Sequence, residues 1–188
     1  MKRVELDRRA KAVFRRHRGV LRTSQALKLG IHPRILYHLR DTGWLVAVTR
    51  GVYRRADLPE PSHPDLLVVA RRVPQAVMCL ISALSFHGLT TQIPHEVQIA
   101  LPRRTRYPRL DHPPLRVFLM TGAAYTEGIE THSIEGIPLR VYDPAKTVVD
   151  CFKFRNKIGI DVAVEALRLA RERKHVTPRA LLQYARLC

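Results

Sequence analysis

The first apolar pattern in the chain has helical spacing. Between Glu5 and His17 charged residues fill most of the remaining positions, and the apolar positions are Leu6, Ala10, Val13 and Phe14. This spacing predicts an amphipathic helix that packs one face on a core. Gly19 ends the pattern, because glycine readily adopts the left-handed conformation that closes helices.

Two shorter helices are predicted next. One runs over Gln25–Leu29, with Thr23 or Ser24 as its N-cap and Gly30 at its end. The other opens at Pro33, which suits a first helical turn because its missing N–H has no intrahelical partner there. The apolar stripe of this helix consists of Ile31, Ile35, Leu36 and Leu39. Two helices joined by a short turn that contains glycine are typical of a helix-turn-helix.

The pattern then becomes strand-like. Two runs rich in β-branched and aromatic residues flank Gly51, which permits the positive φ of a tight hairpin. Three helices followed by such a hairpin describe a winged helix-turn-helix. Its wing carries Arg50 at the tip, with Arg54 and Arg55 just behind, and Trp44 is expected in the core between helix and wing.

A proline-containing connector divides the chain. Leu58–Ser62 holds two prolines in five residues, which favours an extended, semi-rigid segment. We therefore expect a first domain over residues 1–57, a linker over 58–62 and a second domain over 63–188.

The second domain mixes helices and strands. Helices are predicted over residues 62–73, 78–87, 160–174 and 178 to the end, and strands over 96–101, 115–120, 129–133 and 137–142. Asp143 and Pro144 open a further helix with a capping carboxylate and a first-turn proline. The expected fold class is α+β, an N-terminal winged helix-turn-helix followed by a C-terminal mixed α/β domain.

Charge narrows the choice of partner. The chain holds 33 Lys plus Arg and 16 Asp plus Glu, a net +17 at pH 7. Residues 1–57 contribute 15 and 4 of these, a net +11, so less than a third of the chain carries most of the excess. A field of this sign attracts polyanions, above all nucleic acid. No apolar stretch reaches membrane-spanning length, no secretory signal is visible, and three cysteines lack paired spacing, so a cytoplasmic setting is expected.

DNA contact is therefore predicted for the first domain. The second helix of a helix-turn-helix enters the major groove, so base contacts are expected from its outward residues, His32, Arg34, Tyr37 and His38. The start of the preceding helix favours a phosphate near Thr23, Ser24 and Gln25. Phosphate or minor-groove contacts are expected from Arg22, Arg50, Arg54 and Arg55. The same residues also fit a solvated helix face or a protein-interaction module.

Three segments resemble a known family. LRTSQALKLGIHPRILYHLRDTGWLVAVTRGVYRR resembles the N-terminal winged helix of the AbiEi antitoxins of bacterial type IV toxin–antitoxin systems. CLISALSFHGLTTQIPHEVQIALPR and IEGIPLRVYDPAKTVVDCFKFRNKIGIDVAVEAL are similar to that family's C-terminal domain. The resemblance departs at Cys188, where the chain stops inside a predicted helix and a further short segment is expected.

The resemblance implies a protein with two roles. Members repress their own operon by binding inverted repeats in double-stranded operator DNA through the winged helix. They also counter a nucleotidyltransferase-like toxin, AbiEii, through the C-terminal domain and without a stable complex. A stand-alone winged-helix transcriptional regulator with a C-terminal effector or interaction domain is the alternative.

A candidate antitoxin surface follows from one predicted helix. Lys146, Asp150 and Lys153 fall on one helical face, and Arg155, Asn156 and Lys157 follow in the next turn. With the resemblance these residues are candidates for antitoxin action, and without it they describe an ordinary solvated face. A second basic cluster, Arg103, Arg104, Arg106 and Arg109, either extends the nucleic-acid footprint or is simply solvated.

Catalysis is not predicted. A restriction-type nuclease needs an acidic-x-Lys strand, whereas the best candidate strand reads Glu96-Val97-Gln98. The chain has no GxxxxGK[ST] loop, no HExxH motif and no Gly-Ser turn with paired aspartates. We therefore expect no catalytic residue, no metal site and no cofactor.

Overall fold

The computed structural model describes residues 3–59, 63–174 and 176–187. Its contacts divide the chain into two compact units. The first reaches Val68 and includes Ile134–Ile137, and the second comprises Val69–Ser133 and the chain from Pro138 onward. Residues 60–62 of the predicted linker lie outside the described residues, so the domain boundary at 58–62 stays a prediction.

The first unit contains the winged helix-turn-helix that the sequence predicts. Its elements are α1 (Arg3–Arg16), β1 (Val20–Arg22), α2 (Thr23–Lys28), α3 (Pro33–Asp41), β2 (Leu45–Thr49) and β3 (Val52–Arg55). The three strands form an antiparallel sheet in the order β1-β3-β2, in which Leu21 and Ala47 both pair with Tyr53. Strand β1 was not predicted, because a three-residue strand is too short to show a period.

The start of α2 differs from the prediction. Arg22 is the N-cap and Thr23 already belongs to the helix, so capping by Thr23 or Ser24 is wrong. The Gln25 side-chain oxygen instead accepts a hydrogen bond from the Arg22 amide at 3.0 Å. The Thr23 amide donates to the carbonyl of Gly51 at 2.9 Å, which ties the start of α2 to the wing.

A small apolar core holds α3 in place. Phe14 of α1 and Leu36 of α3 are completely buried, and Leu45 of β2 joins them. The Trp44 ring packs on this core at 6.0 Å from the Phe14 ring in an edge-to-face arrangement, as predicted. Each such apolar side chain stabilises the unit by roughly 1.5–3 kcal/mol.

From residue 64 onward the described chain forms a mixed sheet flanked by helices. The helices are α4 (Pro64–Arg72), α5 (Leu80–His87), α6 (Ala123–Thr126), α7 (Pro144–Lys153), α8 (Arg155–Ile158), α9 (Ile160–Lys174) and α10 (Pro178–Ala185). The strands are β4 (Val77–Met78), β5 (Val97–Pro102), β6 (Leu115–Met120), β7 (Ile129–Ile134) and β8 (Ile137–Tyr142). Helix α10 ends at Ala185, so the prediction of a helix to the chain end is wrong.

The five strands lie in the order β6-β5-β4-β8-β7. Strand β4 runs antiparallel to β5 and parallel to β8. Strands β5 and β6 are parallel, with a register that runs from Val97 opposite Leu115 to Pro102 opposite Met120. Their carboxyl ends therefore meet at one edge of the sheet.

Helix α7 is enclosed on all sides over most of its length. It contacts α5, α9 and α10, and every residue from Ala145 to Cys151 is buried. As predicted, Asp143 caps its start by accepting a hydrogen bond from the Lys146 amide at 2.8 Å. Burial on all sides leaves this part of α7 no solvent-facing stripe.

The prediction that Lys146 and Asp150 lie on an exposed face is therefore wrong. Their side chains are 0% and 1% exposed, and Lys146 Nζ lies 2.5 Å from Asp150 Oδ2. The Tyr142 ring centroid lies 4.4 Å from the same Nζ. The two charges neutralise each other one helical turn apart, which is why the helix can bury both.

Removing one partner of this pair should destabilise the chain strongly. Asp150→Ala leaves the Lys146 ammonium buried without its partner and should lower the free energy of unfolding by about 3–5 kcal/mol. The double variant Lys146→Met with Asp150→Leu removes both charges at similar volume and should cost much less. Urea denaturation of the full chain measures both, and equal losses in the two variants would contradict a paired burial.

Candidate functional site

The outer side of α3 carries the first candidate residues. Arg34 is exposed, and Tyr37, one turn further on, is 48% exposed. The guanidinium of Arg40 lies 5.3 Å from the Tyr37 ring centroid and pairs with Asp41 at 2.7 Å. Arg40 was not singled out from the sequence, although its position three residues after Tyr37 places it on the same side of the helix.

The two histidines of α3 have structural partners. His32 is exposed and caps the helix, because its Nδ1 accepts a hydrogen bond from the Arg34 amide at 3.2 Å. His38 Nε2 lies 3.3 Å from Asp7 Oδ2 on α1, and its side chain is half-buried. The structure thus turns His38 toward α1, contrary to the prediction that it projects outward.

The wing presents one exposed arginine at its tip. Arg50 is exposed and precedes Gly51, whose φ of +79° closes the predicted tight turn. Arg55 is half-buried and pairs with Asp57 through Nε and Oδ1 at 2.9 Å. Hydrogen bonding from Arg55 lowers the pKa of the Asp57 carboxyl, so the carboxylate stays ionised to a more acidic pH than an unpaired aspartate.

The prediction that Arg54 contacts DNA is wrong. Arg54 is 7% exposed, and its Nη1 donates to the carbonyls of Leu58 at 2.7 Å and Pro59 at 2.8 Å. Arg54 shares a strand face with Val52, but Tyr53 on the opposite face is buried as well, so the alternation of side chains does not indicate this placement.

The residues around the start of α2 also include both exposed side chains and side chains held by protein partners. Arg22 is half-buried, and its Nη2 donates to the carbonyl of Gly136, a residue of the same compact unit, at 2.8 Å. Thr23 is half-buried, whereas Ser24 and Gln25 are exposed. Besides Arg40, further exposed cations of this unit that no sequence pattern singles out are Arg8, Arg9, Arg15, Arg16, Arg18 and Lys28.

Only part of the predicted antitoxin surface is exposed. Lys153, Arg155, Asn156 and Lys157 are exposed around the junction of α7 and α8, and we call them the α7–α8 cluster. The ammonium groups of Lys153 and Lys157 each lie 5.7 Å from the Phe154 ring centroid. Arg155 donates to the carbonyl of Phe152 at 2.9 Å. This cluster offers three cations and no carboxylate of its own.

Comparisons with known proteins bear on both units. Residues 8–56 match a family described as "Transcriptional regulator, AbiEi antitoxin". The fold is similar to the crystal structure of the RV2827C protein from Mycobacterium tuberculosis, with a TM-score of 0.55 and 17% identity over 96% of this chain and 75% of that chain. No curated protein sequence matches the chain.

These findings confirm the resemblance in the N-terminal segment and the mixed α/β fold. They support a role as a DNA-binding regulator, and the matched family is one of regulators rather than of enzymes. Within the described ranges, no helix is long and apolar enough to cross a membrane.

The burial of Arg54 predicts that this residue stabilises the fold, whereas the exposed Arg50 does not. Arg54→Ala removes two hydrogen bonds from a charged donor and should lower the free energy of unfolding by about 1.5–3 kcal/mol. Arg50→Ala removes the same charge from an exposed tip and should change it by less than about 0.5 kcal/mol. Urea denaturation measures both values, and a neutral Arg54→Ala variant would contradict the buried placement.

Proposed function

We propose that this chain is a cytoplasmic antitoxin and transcriptional autorepressor of a type IV toxin–antitoxin operon. The match of residues 8–56 to the AbiEi antitoxin regulators carries this proposal. In it, the winged helix binds an inverted repeat in operator DNA. The second unit counters a nucleotidyltransferase-like toxin without forming a stable complex with it.

The exposed residues of the first unit support DNA binding. Arg34 stands in the first turn of α3, where residues of a recognition helix meet base edges. A guanidinium there pairs with guanine through two hydrogen bonds, worth about 1–3 kcal/mol of discrimination. Arg50 at the wing tip is free of the carbonyl contacts that hold Arg54, and it is assigned to a phosphate or to the minor groove.

Three further residues complete the proposed interface. Tyr37 shares the outer side of α3 with Arg34, and its hydroxyl can reach a base or a phosphate. Ser24, exposed in the first turn of α2, is assigned to the phosphate backbone, and so is the side-chain nitrogen of Gln25, whose oxygen already accepts from the Arg22 amide. Arg22, Arg55 and His38 have protein partners and are assigned no direct DNA contact.

Base and phosphate contacts should respond differently to substitution. Arg34→Ala should lower the preference for the duplex upstream of the chain's own gene over a scrambled duplex by roughly 10- to 100-fold. Arg50→Ala should weaken binding to both duplexes by the same factor and reduce the slope of log K against log salt concentration by about 0.9. Fluorescence anisotropy at several salt concentrations measures both effects.

Arg171→Ala is the charge-matched control for these variants, because Arg171 is exposed on α9 in the second unit. It should leave both duplex affinities unchanged. If Arg34→Ala weakens binding to the two duplexes by the same factor, as Arg50→Ala is expected to do, the assignment of α3 to the bases fails.

The α7–α8 cluster is the proposed antitoxin surface. Lys153 and Lys157 are exposed cations held beside the same aromatic ring, which keeps two positive charges close together. An acidic surface or a nucleic-acid substrate of the toxin would be recognised by such a pair. Lys146 and Asp150 are left out of this surface because they are buried.

Co-expression with the toxin gene of the same operon tests the antitoxin role. The wild-type chain should restore growth, and Lys153→Glu with Lys157→Glu should abolish rescue while repression of an operator-driven reporter stays intact. Rescue by the double variant would place the antitoxin surface elsewhere. Failure of the wild-type chain to rescue, with repression retained, would favour a stand-alone regulator.

A further inference from the structure

We propose that the second unit binds a nucleotide in a crevice at the carboxyl ends of strands β5 and β6. This inference goes beyond DNA binding and toxin neutralisation. The crevice has a volume of about 720 Å³, within the range of roughly 300–1,000 Å³ that small-molecule sites occupy. Its lining includes Arg103, Arg104, Met120, Thr121, Tyr125 and Thr126.

The position of the crevice follows from the sheet. Strands β5 and β6 are parallel and end together at Pro102 and Met120. The amide of Arg103 donates to the Met120 carbonyl at 3.0 Å, so the first residue beyond β5 is still held to β6. Open α/β sheets bind ligands in crevices outside the carboxyl ends of their strands at a topological switch point, and this crevice shares the first of these two features.

The charge of the crevice fits an anion. Arg103 and Arg104 are both exposed, and no carboxylate is among the lining residues. In the described part of the chain neither guanidinium forms an ion pair, in contrast to Arg40 and Arg55. Two adjacent arginines with free donors match the oxygen atoms of a phosphate group, which they can bind through paired hydrogen bonds.

The opposite wall is preorganised. The hydroxyl of Tyr125 donates to the Gln75 carbonyl at 2.7 Å, and Arg140 donates to the same oxygen at 3.1 Å. The hydroxyl of Tyr142 donates to the Tyr125 carbonyl at 2.8 Å. Burial raises the pKa of Tyr142, which keeps this hydroxyl a donor at neutral pH. Hydrogen bonds thus fix both the ring and the backbone of Tyr125 before any ligand arrives.

A nucleotide uses both kinds of wall. The half-buried Tyr125 ring offers apolar surface for a planar base, and the hydroxyls of Thr121 and Thr126 can bond to its polar edges or to the ribose. The two arginines take the phosphates. A long nucleic acid would need only exposed cations, and Arg106 and Arg109 on the same loop provide these outside the crevice. The concave site with two different walls therefore favours a single nucleotide.

Isothermal titration of the full chain with each of the four nucleoside diphosphates tests the proposal, with inorganic pyrophosphate as the second probe. At least one diphosphate should bind more tightly than pyrophosphate. Arg103→Ala with Arg104→Ala should weaken its binding at least tenfold. The matched control, Arg106→Ala with Arg109→Ala, removes the same charge from the same loop outside the crevice and should change binding less than twofold.

A second variant separates shape from charge. Thr121→Trp fills the crevice without altering charge and should also weaken binding at least tenfold, while circular dichroism shows an intact fold. Equal weakening by both arginine pairs, pyrophosphate binding as tightly as every diphosphate, or binding of a single-stranded oligonucleotide but of no diphosphate would each overturn the proposal. Operator binding is measured on the same variants, so a failure of the crevice is distinguished from a failure of the winged helix.

Discussion

The burial of one stripe of α3 sets the rotation of the helix and thereby what the first unit can present. Ile35, Leu36 and Leu39 enter the core against α1 and β2. Their spacing fixes which residues remain outside, and Arg34 and Tyr37 are exposed for that reason. A rotation of α3 by one residue would carry Arg34 toward the core and expose an apolar side chain. The residues proposed to contact bases therefore depend on the packing of residues that touch no DNA.

Local signals of the sequence predicted the elements that carry the sites. Pro33 opens α3 and Asp143 caps α7 as expected, because both effects act within one helical turn. Strand β6 coincides with the predicted run of residues 115–120. Strands β1 and β4 and helices α6 and α8 were missed, since elements of two to four residues are too short to show a period.

The sites themselves were predicted less well, because partner contacts between distant residues decide them. Helical spacing placed Lys146 and Asp150 on one face, but enclosure by α5, α9 and α10 depends on tertiary packing. Likewise, the count of arginines near the wing did not show that Arg54 holds the carbonyls of Leu58 and Pro59. The net +11 of residues 1–57 thus overstates the charge free to meet a phosphate backbone.

The ion pair inside α7 also constrains how this protein can diverge. A replacement at position 146 or 150 alone passes through a form with one solitary interior charge. Descendants of this chain should therefore alter the two positions jointly or keep them both. Covariation of these two positions among related sequences would therefore reflect the packing of the protein interior and not a common contact with a toxin.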